Sequence, residues 1–188
     1  MPNENFAAAW EAFRAQAVAR SRLNRIAPPG NPSRLGYLAL GLCGEAGEAV
    51  WAMTEGTPAE RVSELGDVLW YLAMTEVESG VAAEWVSPPR SGFSGSTWRL
   101  MHAACAAAEC IKRPVQGREL HKDALRLALT GVASALQSMA RAARCTIEEA
   151  MAANVEKNHT RFGAEGFSIE RQREMDAARA RGEVSHVG

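Results

Sequence analysis

The sequence predicts an all-α protein, a helical bundle of about six core helices built around an antiparallel hairpin. No segment alternates apolar and polar residues long enough to indicate a strand, and Ala, Leu, Glu and Arg recur at helical spacing. Two helix-start patterns support this fold class. Thr57-Pro-Ala-Glu60 and Thr146-Ile-Glu-Glu149 both have the residues of a capping box.

The predicted helices follow one another with short connections. Proline and glycine punctuate the chain: the stretch APPGNP ends the first helix, Gly80 stops the third and Pro114 ends the fourth. Trp10, Phe13 and Ala17 mark an apolar face on the first helix. The six helices are expected, in chain order, at about residues 5–23, 33–53, 58–79, 97–113, 119–144 and 147–162.

Two halves and a tail are expected within one compact domain. The first half covers residues 1–85, a linker 86–96, the second half 97–168 and a charged tail 169–188. The two halves resemble each other in sequence. Internal duplication is one explanation, and a shared Ala-rich composition is the alternative. Under duplication the second copy would lose most of the acids of the first, since Glu45, Glu48, Glu64 and Asp67 fall on Ala106, Glu109, Ala128 and Gly131.

Composition and charge exclude several classes of function. The net charge of −1 leaves no basic footprint for nucleic acid. No apolar run is long enough for a membrane span, and the N-terminus lacks a signal pattern, so a cytoplasmic protein without a membrane partner is expected. The four cysteines have no metal-site spacing and are expected to act as small buried hydrophobes in a reducing compartment.

Two pairs of acids lie on the predicted hairpin of the second and third helices. Glu45 and Glu48 share one helix face, and so do Glu64 and Asp67, because residues three apart point the same way. A short turn joins the helices, so they should pack antiparallel and bring the pairs to a similar level. The neighbouring apolar residues expected in the same interface are Leu38, Leu42, Ala49, Leu65, Leu69 and Leu72.

Four carboxylates gathered in a partly buried cleft would repel one another. A hard divalent cation removes this repulsion, and Mg²⁺ prefers oxygen ligands, with Mn²⁺ as the alternative. A solvated acidic helix face is the structural alternative for either pair taken alone. Gly44 and Gly47, which cost about 1 kcal/mol each relative to alanine inside a helix, suggest close approach of a ligand or of a neighbouring helix.

The acid pattern resembles the all-α nucleoside triphosphate pyrophosphohydrolases, the MazG-like group that includes the dimeric dUTPases. The family pattern E-x-x-E, a spacer and E-x-x-D is present as Glu45-Ala-Gly-Glu48 and Glu64-Leu-Gly-Asp67. A second family segment, N-x-x-K-x-x-x-R followed by an aromatic and GF, matches at Asn154, Lys157, Arg161, Phe162, Gly166 and Phe167. The resemblance covers most of residues 35–168.

The resemblance implies an enzyme that cleaves nucleoside triphosphates between the α- and β-phosphates, releasing the monophosphate and pyrophosphate. The four acids would hold Mg²⁺, and one glutamate could instead act as base on the attacking water. Lys157 and Arg161 would contact phosphates, Arg161 with two hydrogen bonds, and Asn154 would bond phosphate or sugar. An ordinary exposed helix face is the alternative for Lys157 and Arg161. The family also implies a homodimer.

One departure from the family pattern shapes the expected site. Compact members place the N-x-x-K-x-x-x-R segment soon after E-x-x-D, whereas here a linker and two helices intervene. We therefore expect one composite site per chain, with acids from the first half and cations from the second. Trp51 and Trp70 are candidates for stacking on a base, with core packing as the alternative.

Two other classes of function compete with this reading. Glu156-Lys-Asn-His159 is one Glu-x-x-His motif of the kind used by carboxylate-bridged di-iron or di-manganese bundles, but those sites need two. A non-catalytic helical nucleotide-binding protein that retains the fold is the second alternative. The base, the sugar and the choice between canonical and damaged nucleotides are not determined by the sequence.

Overall fold

The computed structural model describes residues 4–21, 23–86, 93–162, 177 and 181. Within these residues the chain is helical and contains no strand, so the predicted all-α class is confirmed. The helices of these described residues are α1 Glu4–Arg20, α2 Leu23–Ile26, α3 Pro32–Glu55, α4 Pro58–Ser79, α5 Phe93–Val115, α6 Lys122–Ala143 and α7 Ile147–Phe162. No helix in the described part of the chain is long and apolar enough to cross a membrane.

Several helix ends differ from the sequence-based bounds. The predicted first helix is divided into α1 and the four-residue α2. The fourth begins at Phe93, inside the predicted linker 86–96, and continues through Pro114, which disturbs only the final turn because it is the penultimate residue. The charged tail predicted for residues 169–188 lies outside the described residues, except for Ala177 and Arg181.

The start signals of α4 and α7 behave as predicted. The backbone N–H of Thr57 donates to Glu60 Oε2 at 2.6 Å, and Glu60 N–H donates back to Thr57 Oγ1 at 3.3 Å. Thr146 and Glu149 form the same reciprocal pair, at 2.8 and 3.1 Å. These boxes satisfy backbone donors in the first turn, so both helices begin at defined residues.

Two helical hairpins form the body of the molecule. The α3–α4 hairpin packs on the α5–α6 hairpin through α3 against α5 and α4 against α6, and α1 and α7 pack against α4. Arg34, near the start of α3, donates through Nε to Glu78 Oε2 at 2.8 Å, near the end of α4, so the first hairpin is antiparallel as predicted. Helix α4 is therefore surrounded by α1, α3, α6 and α7.

The apolar residues predicted to line the first hairpin are buried. They belong to one continuous hydrophobic core that also receives the inner faces of α1, α5, α6 and α7. Burial of these side chains supplies the main driving force for packing the two hairpins together. The predicted members, all fully buried, are Leu38, Leu42, Ala49, Leu65, Leu69 and Leu72.

Candidate metal centre

Three carboxylates meet where α3 and α4 face each other. Glu45, Glu48 and Glu64 each offer one oxygen, and these oxygens all lie within 4.8 Å of one another. Glu64 is buried, Glu45 is half-buried and Glu48 is exposed. The cluster is therefore closed at its α4 side and open to solvent at Glu48.

The short turn between α3 and α4 explains why the acids meet. Glu48 lies about two turns before the end of α3, and Glu64 lies just under two turns after the start of α4. The capping box at Thr57 fixes where α4 begins and therefore fixes this level. The acids of each helix share a face because they are three residues apart.

Glu64 is the clustered carboxylate that lacks a described hydrogen-bond partner at a buried oxygen. Its side chain is 7% exposed, and its Oε1 lies 3.5 Å from Lys157 Nζ. Its Oε2 is buried and has no hydrogen-bond partner among the residues that the structure describes. A buried unpaired carboxylate oxygen is unfavourable unless a cation, a proton or a water completes it. The environment of Glu64 therefore fits a site that a cation completes.

The fourth predicted acid, Asp67, faces α7 instead of the group of three. Asn154 Nδ2 donates to Asp67 Oδ1 at 2.6 Å, and Lys157 Nζ donates to Asp67 Oδ2 at 2.5 Å. Lys157 also donates to Ser63 Oγ at 3.1 Å. Both oxygens of Asp67 are thus engaged, and this carboxylate holds a lysine and an asparagine beside the cluster.

Close packing of α7 on α4 brings Asn154 and Lys157 to the acids. A Cβ added at Gly66 would lie 2.5 Å from the Ala150 carbonyl oxygen and 2.9 Å from Asn154 Cβ, so only glycine fits there.

The close helix packing suggested for Gly44 and Gly47 is not what the structure has. A Cβ at either position would meet no described atom within 4 Å.

The electrostatics of the cluster follow from burial and like charge. Burial, followed by the charges of Asp67, Glu48 and Glu64, raises the pKa of Glu45 from 4.5 to about 8. Burial also raises the pKa of Glu64, although Lys157 opposes this change. Without a cation, the cluster therefore holds protons at neutral pH that an ordinary surface glutamate would release.

The remaining predicted site residues lie around this centre. Arg161 is half-buried one turn beyond Lys157 on α7. Trp51 is 58% exposed on α3, one turn beyond Glu48, so the core-packing alternative does not apply to it. Trp70 is half-buried and meets the ring of Tyr71 edge-on, with centroids 4.9 Å apart.

Part of the second predicted segment lies outside what the structure describes. Gly166, Phe167 and the side chain of Phe162 are not among the described residues. Glu156 and His159, the Glu-x-x-His motif, are exposed on α7 and do not belong to the carboxylate group found among the described residues. The motif thus gains no structural support as a metal ligand.

Sequence reasoning missed one residue of the centre and one buried acid outside it. Ser63 accepts from Lys157, and its position four residues before Asp67, on the same helix face, was an available signal. Glu76, also on α4, is 1% exposed and bonds Trp10 and the backbone of Ala83. No local pattern marks Glu76, because its partners come from α1 and from the chain beyond α4.

Comparisons with protein-family models, with curated proteins and with solved structures find no match for this chain. The geometry of the centre and the chemistry of its donor atoms are therefore what indicate a function. That donor set consists of three clustered carboxylates beside an Asp67–Lys157 ion pair.

Proposed function

We propose that this protein is a Mg²⁺-dependent nucleoside triphosphate pyrophosphohydrolase of the nucleotide-pool house-cleaning kind. It would cleave the α–β phosphoanhydride of ribo- or deoxynucleoside triphosphates and release the monophosphate and pyrophosphate. The observation that carries the proposal is the carboxylate group of Glu45, Glu48 and Glu64, in which Glu64 Oε2 is buried and unpaired.

The donor set fits Mg²⁺, or Mn²⁺, and not zinc. All three clustered donors are carboxylate oxygens, and no described His or Cys belongs to the group. A divalent ion held by these residues would clamp phosphate oxygens and lower the pKa of a water molecule. Glu64 would be the anchoring ligand because its free oxygen is buried, and exposed Glu48 would lie at the entrance.

The residues of α7 supply the positive charge that a triphosphate requires. Asp67 holds Lys157 at the edge of the carboxylate group, and Lys157 Nζ lies 3.5 Å from Glu64 Oε1. A phosphate arriving at the cluster would therefore meet an ordered ammonium group, whereas the buried Asn154 amide donates to Asp67 and would act by holding that carboxylate. Arg161, one turn further along α7, would extend this row toward the remaining phosphates.

The exposed side of α3 offers a surface for the base. Trp51 lies one turn beyond Glu48 on the same helix and is largely exposed. An aromatic ring can stack on any base, so this contact would add affinity without selecting one nucleotide. Trp70 is half-buried and packs against the ring of Tyr71. Only the part of its ring that stays accessible would therefore be able to stack on a base.

Pyrophosphate release is the direct test of this proposal. The purified chain is incubated with Mg²⁺, with Mn²⁺ or with chelator, over a panel of ribo-, deoxy- and modified nucleoside triphosphates. We expect metal-dependent pyrophosphate and nucleoside monophosphate. Glu48→Gln should abolish release, whereas the matched control Glu55→Gln, an exposed acid at the end of α3, should not. Orthophosphate as product, or no product with any nucleotide, would contradict the proposal.

A second experiment tests whether α7 contributes to the site. Lys157→Ala and Arg161→Ala should lower turnover, while Lys112→Ala, an exposed lysine on α5, should leave it unchanged. Full activity in both α7 variants would remove the second half of the chain from the site. Nucleotide binding by calorimetry without any turnover would instead favour a non-catalytic binding protein.

The resemblance to the pyrophosphohydrolase family extends the proposal to a cytoplasmic homodimer. Multi-angle light scattering of the purified chain measures the assembly directly. A mass twice that of the 20.2 kDa chain is the expected result. A monomer that still releases pyrophosphate would separate the enzymatic proposal from the proposed assembly.

A further inference from the structure

An open cavity lies where α5 turns into α6, outside the metal centre. Its volume is about 590 Å³, and its lining comes from α5, from the turn that follows and from His121, the residue before α6. None of the lining residues belongs to the carboxylate group or to α7. Pockets for small molecules commonly have volumes of about 300–1,000 Å³, so this cavity is large enough for a small metabolite.

Positive charge predominates in the lining of the cavity. Arg113, Arg118 and Lys112 are basic, and Glu109 is the one acid among the lining residues. Lys112 Nζ lies 3.0 Å from Glu109 Oε1 and 3.1 Å from its Oε2, so these two groups neutralise each other. The two arginines therefore leave a net of two positive charges at this cavity, in a chain whose net charge is −1.

The turn between α5 and α6 brings the two arginines to one cavity. Arg113 Nε donates to the Glu119 carbonyl oxygen at 3.1 Å, and the Arg113 carbonyl oxygen accepts from the Arg118 N–H at 2.9 Å. Gly117 has a φ of +73°, a conformation that glycine adopts readily and that lets the chain reverse here. These contacts fold the turn back onto the end of α5 and fix the position of Arg113.

Neither guanidinium group is neutralised within the described residues. Arg113 is half-buried and makes its side-chain hydrogen bond there through Nε, to a neutral carbonyl group. Arg118 is exposed, and its side chain has no hydrogen bond or ion pair in the described part of the chain. Two like charges at one cavity repel each other, and a bound anion offsets this repulsion. A guanidinium group also matches the geometry of a phosphate group, to which it donates two parallel hydrogen bonds.

The rest of the lining offers a further donor and an apolar wall. His121 can donate through an imidazole N–H, and it is the N-cap residue of α6 without a side-chain cap hydrogen bond. The first-turn N–H groups of α6 therefore add partial positive charge on this side. Ala106 and Cys110 lie one turn apart on α5 and supply small apolar side chains. A ligand with an anionic end and a carbon skeleton would fit both parts of the lining.

We propose that this cavity binds a small phosphate monoester, separately from the metal centre. A phosphate monoester carries about −1.5 to −2 charges near pH 7, which matches the two arginines. The phosphate group would lie between Arg113 and Arg118 with His121 beside it, and the carbon skeleton would face Ala106 and Cys110. The inference does not depend on the proposed enzymatic activity, because none of these residues belongs to the carboxylate group.

An NMR titration of the ¹⁵N-labelled full chain tests the site. A chelator keeps divalent cations away from the metal centre, and ribose 5-phosphate, inorganic phosphate and ribose are the three probes. We expect ribose 5-phosphate to shift the Nε–H signals of Arg113 and Arg118 saturably. Inorganic phosphate should bind more weakly, because it has no carbon skeleton for the apolar wall, and ribose should leave both signals unchanged.

Matched arginine variants sharpen this test. Arg118→Gln should weaken ribose 5-phosphate binding about ten-fold, because it removes a charge-assisted hydrogen bond to the phosphate. Arg126→Gln, whose exposed arginine on α6 pairs with Asp123 at 2.8 Å, is the control and should bind like the parent chain.

Several outcomes of these titrations would each overturn the proposal. They are the absence of a saturable shift with ribose 5-phosphate, unchanged affinity in Arg118→Gln, and inorganic phosphate that binds as tightly as the monoester. Shifts centred on Trp51 and α7 would assign the binding to the metal centre and would equally overturn it.

Discussion

Two buried glutamates on α4, Glu64 and Glu76, have opposite surroundings although they share one helix. Glu76 is 1% exposed and accepts hydrogen bonds from Trp10 Nε1 at 3.1 Å and from the Ala83 backbone N–H at 2.8 Å. Arg14 Nε lies 3.5 Å from the same carboxylate. Glu64 is 5% exposed, has Lys157 at 3.5 Å from one oxygen and leaves its other oxygen unpaired.

The contrast separates a structural carboxylate from one that fits a ligand site. Protein groups complete Glu76, which ties α1 and the chain after α4 to the core. Glu64 has one oxygen without a hydrogen-bond partner in the described part of the chain, and it lies beside two further acids, Glu45 and Glu48. A buried acid completed by the protein contributes to stability, whereas an incomplete one indicates that another partner completes it.

Among substitutions on α4, the largest effect should come from Glu64→Gln. Loss of the anchoring carboxylate should lower Mg²⁺-dependent pyrophosphate release about 1,000-fold, since it removes an electrostatic contact to the metal and phosphates. The metal-free variant should unfold at the same denaturant concentration as the parent chain or a higher one, because one buried negative charge is gone. Unfolding of metal-free Glu64→Gln under native conditions would show that Glu64 is structural, like Glu76.

Glu76→Ala should reverse this pattern. It would leave the Trp10 indole N–H and the Ala83 N–H without their acceptor and remove the ion pair with Arg14 Nε, and should lower the free energy of unfolding by about 3 kcal/mol. Urea unfolding with and without Mg²⁺ measures it, with exposed Glu84→Ala as the control. The free energy of unfolding should fall by the same amount with and without Mg²⁺. A smaller decrease in the presence of Mg²⁺ would place Glu76 in the metal site.

A glycine pair tests how α7 is brought to Glu64. Gly66→Ala should cost about 2 kcal/mol and lower turnover, because the added methyl group would collide with Ala150 and displace Asn154 and Lys157. Gly47→Ala meets open space and should instead stabilise the helix by about 0.5–1 kcal/mol. Thermal melts and pyrophosphate assays measure both variants. Equal effects at the two glycines would contradict the close α4–α7 packing.

The smallest predicted effect is the pH dependence of the metal-free protein. Because the folded-state pKa of Glu45 is raised from 4.5 to about 8, its protonated form favours folding below pH 4.5, and this contribution is lost as pH rises to about 8. Tm should therefore fall by a few degrees over this range. Glu45→Gln should flatten the slope, and saturating Mg²⁺ should suppress it. An unchanged slope in Glu45→Gln would assign the titration to another group.

Local signals account for what sequence reasoning predicted correctly. The capping boxes at Thr57 and Thr146 lie within four residues of the backbone groups that they satisfy, and the left-handed Gly80 ends α4 without a distant partner. The sequence also predicted that the two acid pairs lie at a similar height along the hairpin. The short turn between α3 and α4 sets how the two helices align, and this turn is a local feature. The break between α1 and α2 also has a local feature, since Ser21 Oγ accepts from the Leu23 N–H at 3.1 Å, but sequence reasoning missed it.

Long-range contacts account for what sequence reasoning could not reach. The Asp67–Lys157 ion pair joins residues 90 positions apart, and only the family resemblance placed them in one site. The Trp10–Glu76 bond spans 66 positions, and an isolated glutamate in an amphipathic helix gives no sign of burial. The position of Gly44 and Gly47 inside a helix suggested close approach there, yet Gly41 and Gly66 are glycines at which an added Cβ would collide with a neighbouring helix.

The sequence by itself determined the helices, their caps and the grouping of acids on one hairpin, because each depends on interactions between near neighbours in the chain. Only the tertiary structure decided which acids meet and which one is already partnered. Those outcomes depend on how α4 packs on α3 and how α7 packs against the first hairpin. Burial at these contacts changes the pKa values and the hydrogen-bond partners of residues whose local patterns look alike.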